Sequence, residues 1–145
     1  MLSLKITLIS VLSLLIVFTA VIKAQSSSDV SESEPSKLGV LWTSGDRDVA
    51  LKMVFMYTNA SKKNGWWDEV QLIVWGPSSK LLSYDKELQD YVKNMQKVGV
   101  VIKACKACSD SYGVSDKLTE LGIEVKYMGK PLSDMLKNEW TVVTF

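Results

Sequence analysis

The sequence predicts an α/β fold, a three-layer sandwich in which a mostly parallel five-stranded sheet lies between helices. Two observations support this prediction. Short apolar runs of strand length alternate, along residues 38–145, with segments whose apolar residues recur at helical spacing. Turn and helix-capping residues separate these segments. Strand and helix alternate in this way in parallel sheets, because a parallel pair of strands needs a long crossover connection.

The first half of this region predicts two strands around one long helix. Residues 38–43 and 69–75 are apolar runs typical of buried strands, and a Gly-Pro-Ser turn closes the second. Between them, the apolar residues of 49–60 follow helical spacing. That spacing places Met53 and Met56 on the core face of the helix.

The second half continues the alternation to the end of the chain. Residues 88–98 carry a helical apolar face that ends at a glycine, and residues 100–104 form the third predicted strand. Ser115 is the expected N-cap of the next helix. The remaining predicted elements are a helix at 116–121, a strand at 123–127, a helix at 132–137 and a strand at 140–145.

The amino-terminal residues predict export rather than a part of the fold. Lys5 gives residues 1–24 a weakly positive start, an uncharged apolar run follows, and the segment ends in a small residue. This is the pattern of a signal peptide. The alternative is an uncleaved membrane anchor, since the run lies near the lower limit for spanning a bilayer. Residues 25–37 are polar, acidic and rich in serine, which predicts a flexible linker. The folded domain is expected at 38–145.

The charge balance argues against nucleic-acid binding. The chain has 17 Lys and Arg against 16 Asp and Glu, and no histidine. It contains no long basic run, and the nearest approach is a pair such as Lys62 and Lys63. Binding to a phosphate backbone depends on clustered positive charge. We therefore expect no nucleic-acid partner.

The only two cysteines, Cys105 and Cys108, form a C-x-x-C pair directly after the third predicted strand. Without histidine or a second cysteine pair, one chain cannot build a Cys and His zinc site, so no metal is expected. Three interpretations remain open. The pair could be core residues, a structural disulfide of an exported protein, or thiols kept for chemistry.

The position of the pair favours chemistry, with Cys105 as the working thiol. Parallel sheets bind ligands at the carboxyl ends of their strands, where Cys105 should meet Ser44 and Gly76. Lys103 and Lys106 flank Cys105, and cationic neighbours favour the nucleophilic thiolate. The polar residues after Cys108 are expected to leave Cys105 accessible.

The block GVVIKACKACSDSYGV at 99–114, with the strands and turns around it, resembles the DsrE/DsrF-like family of small sulfur-relay proteins. The resemblance extends over residues 38–145. It implies a five-stranded parallel sheet between helices and self-association into trimers or hexamers. It also implies a cysteine that carries a persulfide, and Cys105 falls on that position. Cys108 is an addition that not every sulfur-carrying member has.

The resulting expectation is an exported sulfur carrier or transferase, with or without enzymatic turnover. Cys105 would hold sulfane sulfur as a persulfide, and Cys108 would release it or close a disulfide. Expected partners are further copies of the chain, sulfur donor and acceptor proteins, or small thiols, with no cofactor. Membrane contact would arise only through an uncleaved amino-terminal segment. Two alternatives remain: a non-catalytic oligomeric binding subunit, and a dithiol–disulfide oxidoreductase that uses Cys105 and Cys108.

Overall fold

The computed structural model of the protein describes residues 35–145. The predicted signal segment and nearly all of the predicted linker lie outside the described residues. Within 35–145, no helix is both long and apolar enough to cross a membrane. The fold begins slightly earlier than predicted, because Lys37 belongs to the first strand. Ser36 is also tied to the fold, since its backbone N–H donates to the Asp68 carboxylate at 2.7 Å.

The five strands form one parallel sheet in the order β4-β3-β2-β1-β5. This confirms the predicted fold class. The sheet is parallel throughout because a helical crossover follows each of the first four strands and returns the chain to the edge at which that strand began. The strands are β1 (Lys37–Trp42), β2 (Glu69–Val74), β3 (Val101–Cys105), β4 (Glu124–Lys126) and β5 (Trp140–Thr144).

Six helical segments connect the strands. The first, α1, covers residues 47–63 and combines a short α-helical turn, Arg47–Val49, a π-helical segment, Ala50–Phe55, and an α-helix, Met56–Lys63. The others are α2 (Pro77–Tyr84), α3 (Lys86–Lys97), α4 (Lys106–Ser111), α5 (Ser115–Glu120) and α6 (Gly129–Lys137).

The two faces of the sheet are covered unequally. The first face packs its main core against α1, α2, α3 and α5. The second face packs a smaller cluster against α6 and the cysteine-containing α4. Handedness accounts for this division. Strands β1 to β4 progress across the sheet in one direction, whereas β5 returns to the far side of β1. A right-handed crossover in the reverse direction must pass over the opposite face, which is where α6 lies.

The prediction that Met53 and Met56 face the core is wrong. Their side chains are 53% and 56% exposed, whereas Val54 and Phe55 are fully buried. The reason is the π-helical segment, whose i→i+5 hydrogen bonds widen the turn. Each residue then advances through a smaller angle than an α-helix would give, so the buried face no longer follows the 3.6-residue period.

Two helix starts also differ from the sequence-based prediction. The Gly-Pro-Ser segment is not only a turn, because α2 begins at Pro77. Proline suits the first turn of a helix, where its missing N–H has no intrahelical partner. Ser115 is the first residue of α5 rather than its N-cap, a position that Val114 occupies. The Ser115 hydroxyl instead donates to the Asp110 carboxylate at 2.6 Å.

Candidate functional site

The site lies where β3 ends and α4 begins, and local sequence explains this transition. Val101 and Ile102 are β-branched and favour the strand. Cys105 is the last strand residue and occupies the N-cap position of α4, with an extended backbone at φ −71° and ψ 111°. Ser109, fully buried one turn later, donates its hydroxyl to the Cys105 carbonyl at 3.0 Å. The backbone beside Cys105 is therefore held firmly.

The two cysteines differ in exposure, and the order is the reverse of the expected one. Cys105 is only 4% exposed and packs in the second-face cluster with Ile73, Met128 and Met135. Cys108 is half-buried and packs against the outer side of the same cluster. The sequence-based expectation that Cys105 is the accessible thiol is therefore wrong, because its side chain packs inside the second-face cluster.

The two thiols nevertheless form one unit. Both are free, and they pack in the same cluster, close enough for Cys105 to raise the pKa of the Cys108 thiol. The backbone N–H of Gly76, at the end of the neighbouring strand β2, lies near enough to the Cys108 sulfur to act on the pKa of its thiol in the lowering direction. The carboxyl ends of β2 and β3 thus meet at Cys108. This convergence of Gly76 with the cysteine pair was expected from the sheet topology.

The Cys108 thiol is kept in its protonated form. Burial raises the pKa of this thiol above its ordinary value, and the hydrogen bond with Cys105 raises it further. The Gly76 N–H acts in the opposite direction, because it stabilises negative charge on the sulfur. The resting Cys108 is therefore a protonated thiol beside a backbone N–H that would stabilise a sulfur anion.

Gly76 owes its role to its backbone conformation. Its φ of 69° and ψ of −133° lie in a region that residues with a Cβ rarely adopt. A Cβ added there would meet no atom within 4 Å, so the requirement is conformational rather than steric. Gly76 thereby joins the end of β2 to the start of α2 while its N–H faces Cys108.

The lysines near the cysteines are already engaged. Lys106, expected to flank the thiol, pairs with Asp110 at 2.8 Å one turn along α4. Lys103 pairs more loosely with Glu124, at 3.6 Å, and burial lowers the pKa of its ammonium group. Lys126 was not identified from sequence, yet it is the register partner of Cys105 on β4. Its ammonium group bonds to Glu124 at 2.8 Å.

Ser44 does not join the cysteine pair through any hydrogen bond in residues 35–145. Its hydroxyl accepts the N–H of Asp46 at 3.1 Å and so stabilises the turn after β1. Asp46 caps α1, because its carboxylate accepts the backbone N–H groups of Asp48 and Val49. The turns after β1 and β2 do lie close together, because a Cβ on Gly45 would come 3.1 Å from that of Pro77.

The described residues bring together no cluster suited to a metal. No group of three or more His, Cys, Asp or Glu side chains converges anywhere in 35–145. A groove of about 420 Å³ lies at the amino ends of the strands, where Val70, Val101 and Trp140 contribute to its lining. That groove is at the opposite edge of the sheet from Cys105 and Cys108, so it is not part of their site.

Two features of the site were missed from the sequence. The Gly76 N–H was not recognised as a donor to sulfur, although Gly before Pro at a helix start was a visible signal. The pairing of Lys126 with Cys105 had no sequence signal, since register between strands is set by packing.

Comparison with known proteins places this architecture in a defined family. The model of the DsrE/DsrF-like family matches residues 37–145. A conserved protein of unknown function from Bacteroides thetaiotaomicron, BT1422, has a similar structure, with 39% sequence identity and a TM-score of 0.73. The match covers 76% of this chain and 95% of that one.

Two more distant structures share the fold. They are the ychN protein from E. coli and MTH1491, a protein of unknown function from Methanobacterium thermoautotrophicum. Both are 16% identical, with TM-scores of 0.61 and 0.62, and each match covers 76% of this chain and 99% of the other. No curated protein matches the chain.

Proposed function

Because this chain belongs to the DsrE/DsrF-like family, we propose that it is a sulfur carrier that holds sulfane sulfur as a persulfide on Cys105. The family suggests a sulfur-relay role, and one observation in this chain supports it. Two free thiols pack in one cluster at the carboxyl edge of the sheet, where parallel α/β folds carry their chemistry.

The surroundings of Cys105 suit storage of a sulfur atom. Ile73, Met128 and Met135 enclose the thiol with apolar and polarisable groups, and only 4% of Cys105 is exposed. Exchange at sulfur requires that an attacking thiolate reach the bond it breaks. A persulfide held behind Cys108 is therefore protected from dissolved thiols until a partner engages the site.

Mass spectrometry after incubation with polysulfide tests the proposal. Trapping by alkylation, followed by tryptic cleavage after Lys103 and Lys106, places the two cysteines on different peptides. We expect a gain of about 32 Da on the Cys105 peptide. Cys105→Ser should lose this stable adduct. A wild-type protein that never takes up sulfur would contradict the proposal.

A dithiol–disulfide oxidoreductase is the second candidate, favoured by the packing of the two free thiols in one cluster. Oxidation would join Cys105 and Cys108 within one turn of chain, in a reaction that other dithiols reverse. Redox titration against glutathione separates the candidates. Ready formation of the disulfide, without any sulfur adduct under polysulfide, would favour the oxidoreductase.

Location and partners complete the proposal. We propose that the chain is exported through residues 1–24, that it forms a trimer or hexamer, and that it exchanges sulfur with donor and acceptor proteins or small thiols. Sequencing of the amino terminus in the native host tests export, and a mature protein should begin near Gln25. An intact Met1 in a cytoplasmic fraction would contradict it.

A further inference from the structure

We propose that one sulfur atom binds the two cysteines in succession. Cys108 receives it from the donor, and Cys105 then holds it. This inference rests on the proposed sulfur-carrier function. It adds a direction of transfer within the site and assigns Cys108 the first step. It also gives the Gly76 N–H a positioning role in the transfer.

The difference in exposure supports this order. Cys105 is 4% exposed and lies behind α4, whereas Cys108 is half-buried on the outer side of the same cluster. A sulfur donor carried on a protein thiol therefore meets the Cys108 sulfur first. Direct loading of Cys105 would require the donor to reach a thiol that packs among Ile73, Met128 and Met135.

Contact between the two sulfurs supplies the path for the second step. Both cysteines pack in the same second-face cluster, and Cys105 is close enough to raise the pKa of the Cys108 thiol, so a sulfane sulfur on Cys108 is adjacent to the Cys105 thiol. Cys105 then needs no access to solvent, because its reaction partner is the neighbouring side chain.

The chemistry balances without an external oxidant or reductant. Cys108 first gives up its proton as its sulfur attacks the terminal sulfur of a donor of the persulfide or polysulfide class. The S–S bond of the donor breaks, and the departing thiolate or shortened polysulfide takes that proton. The Cys105 sulfur next attacks the terminal sulfur on Cys108. One S–S bond forms at Cys105 and one breaks at Cys108. The Cys108 sulfur leaves with the electron pair and takes the proton that Cys105 gives up. Cys105 then carries the persulfide, and Cys108 is a thiol again.

Gly76 favours the departure of the Cys108 sulfur. Its N–H donates to that sulfur, and a hydrogen bond to the charged form of a leaving thiolate stabilises it. The N–H is held in this direction by the positive-φ conformation of Gly76. Gly76→Ala would add a Cβ into open space while straining this backbone, so it should slow the transfer without blocking the site.

A time course on the full wild-type chain tests the order of loading. A persulfidated protein is the donor, samples are quenched by alkylation at successive times, and tryptic peptides report each cysteine separately. We expect the adduct on the Cys108 peptide first and its later appearance on the Cys105 peptide as the first signal declines. This measurement requires no variant, so it does not depend on whether a variant folds.

Variants provide the second measurement. Cys108→Ser should slow loading of Cys105 by at least about tenfold, because only the buried thiol remains. In Cys105→Ser the sulfur should stay on Cys108 and be removed quickly by a small thiol. Ala107→Ser is the matched control, because residue 107 is exposed between the cysteines and carries no thiol. It should load as the wild type does.

Three results would overturn the inference. Appearance of sulfur on Cys105 without a preceding Cys108 adduct, together with normal loading of Cys108→Ser, would show direct loading and leave the carrier function intact. Sulfur that remains on Cys108 in the wild type would reverse the assigned roles. Absence of sulfur from both cysteines would overturn the carrier function itself, and the relay with it.

Discussion

At the scale of single residues, Cys108 shows how two neighbours adjust one thiol in opposite directions. Burial and the hydrogen bond with Cys105 raise its pKa, whereas the Gly76 N–H lowers it. A thiol with a raised pKa is protonated at neutral pH and reacts slowly with alkylating agents. Nucleophilic reactivity of Cys108 should therefore increase when one of the groups that raise its pKa is removed.

Cys105→Ala should lower the pKa of Cys108. The substitution removes a hydrogen bond and a charge interaction that both raise it, although burial remains. The pH–rate profile for alkylation of the Cys108 peptide by iodoacetamide should then shift to lower pH. Ala107→Ser, which leaves the cysteine contact intact, serves as the control. An unchanged profile in Cys105→Ala would mean that the two thiols do not interact.

At the scale of elements, the residue that caps α3 also links this helix to α1. Asp85 is the N-cap of α3, and its carboxylate accepts the N–H of Leu88 at 3.1 Å. The same carboxylate accepts from the Arg47 guanidinium at 2.7 Å, which links α3 to the start of α1. Burial alone would raise the pKa of Asp85, but the Leu88 N–H and Arg47 outweigh it and lower the pKa overall.

Asp85→Ala should destabilise the domain by about 1–2 kcal/mol at pH 7, as expected for loss of a cap. Chemical denaturation of both proteins measures it. The lowered pKa sets the sign of the pH dependence. This stabilisation is complete above the ordinary aspartate pKa of 3.8 and is lost as pH falls through the lower folded value. Asp90→Ala, which removes an exposed pair with Lys86, is the control and should cost less.

The π-helical segment of α1 leads to a second prediction at this scale. Val54 is fully buried whereas Met53 is 53% exposed, despite their expected positions on one face. Val54→Ala should therefore cost about 2 kcal/mol in unfolding free energy. Met53→Gln should change it by less than about 0.5 kcal/mol. Comparable losses in the two variants would show that α1 follows an ordinary α-helical period.

At the scale of the whole molecule, the widened turn of α1 creates an apolar surface. Met53, Met56 and Trp66 are each more than half exposed and line an open groove of about 280 Å³ together with Tyr57. Aromatic residues and methionine are enriched in protein interfaces. We expect this surface to contribute to the proposed trimer or hexamer.

Light scattering on the folded chain from Pro35 onward tests that assembly. The wild type should be a trimer or larger at micromolar concentration. Trp66→Glu should reduce the assembled fraction, because it places a charge in the apolar surface. Tyr84→Glu is the control, since Tyr84 is 65% exposed and does not line the groove. A strictly monomeric wild type would contradict the prediction.

Much of the fold followed from local pattern alone. The apolar runs that became β1, β2 and β3 and the helical spacing of α3 each depend on residues close together in sequence, so periodicity was enough to predict them. The same pattern located Cys105 at the end of β3. It failed for Met53 and Met56, because a π-helical segment changes the helical period and no residue type in the sequence indicates such a segment.

The arrangement of the site depended on the tertiary structure. Which cysteine is buried follows from how α4 folds back over β3, and the donor to Cys108 comes from Gly76, on a separate strand. Lys126 stands beside Cys105 only through the register of β4. The sequence by itself determined that two thiols would lie at the carboxyl edge of a parallel sheet, because the alternation of strands and helices sets the direction of the strands. Only contacts between distant segments decided their burial and hydrogen bonds, and with them the order in which they can react.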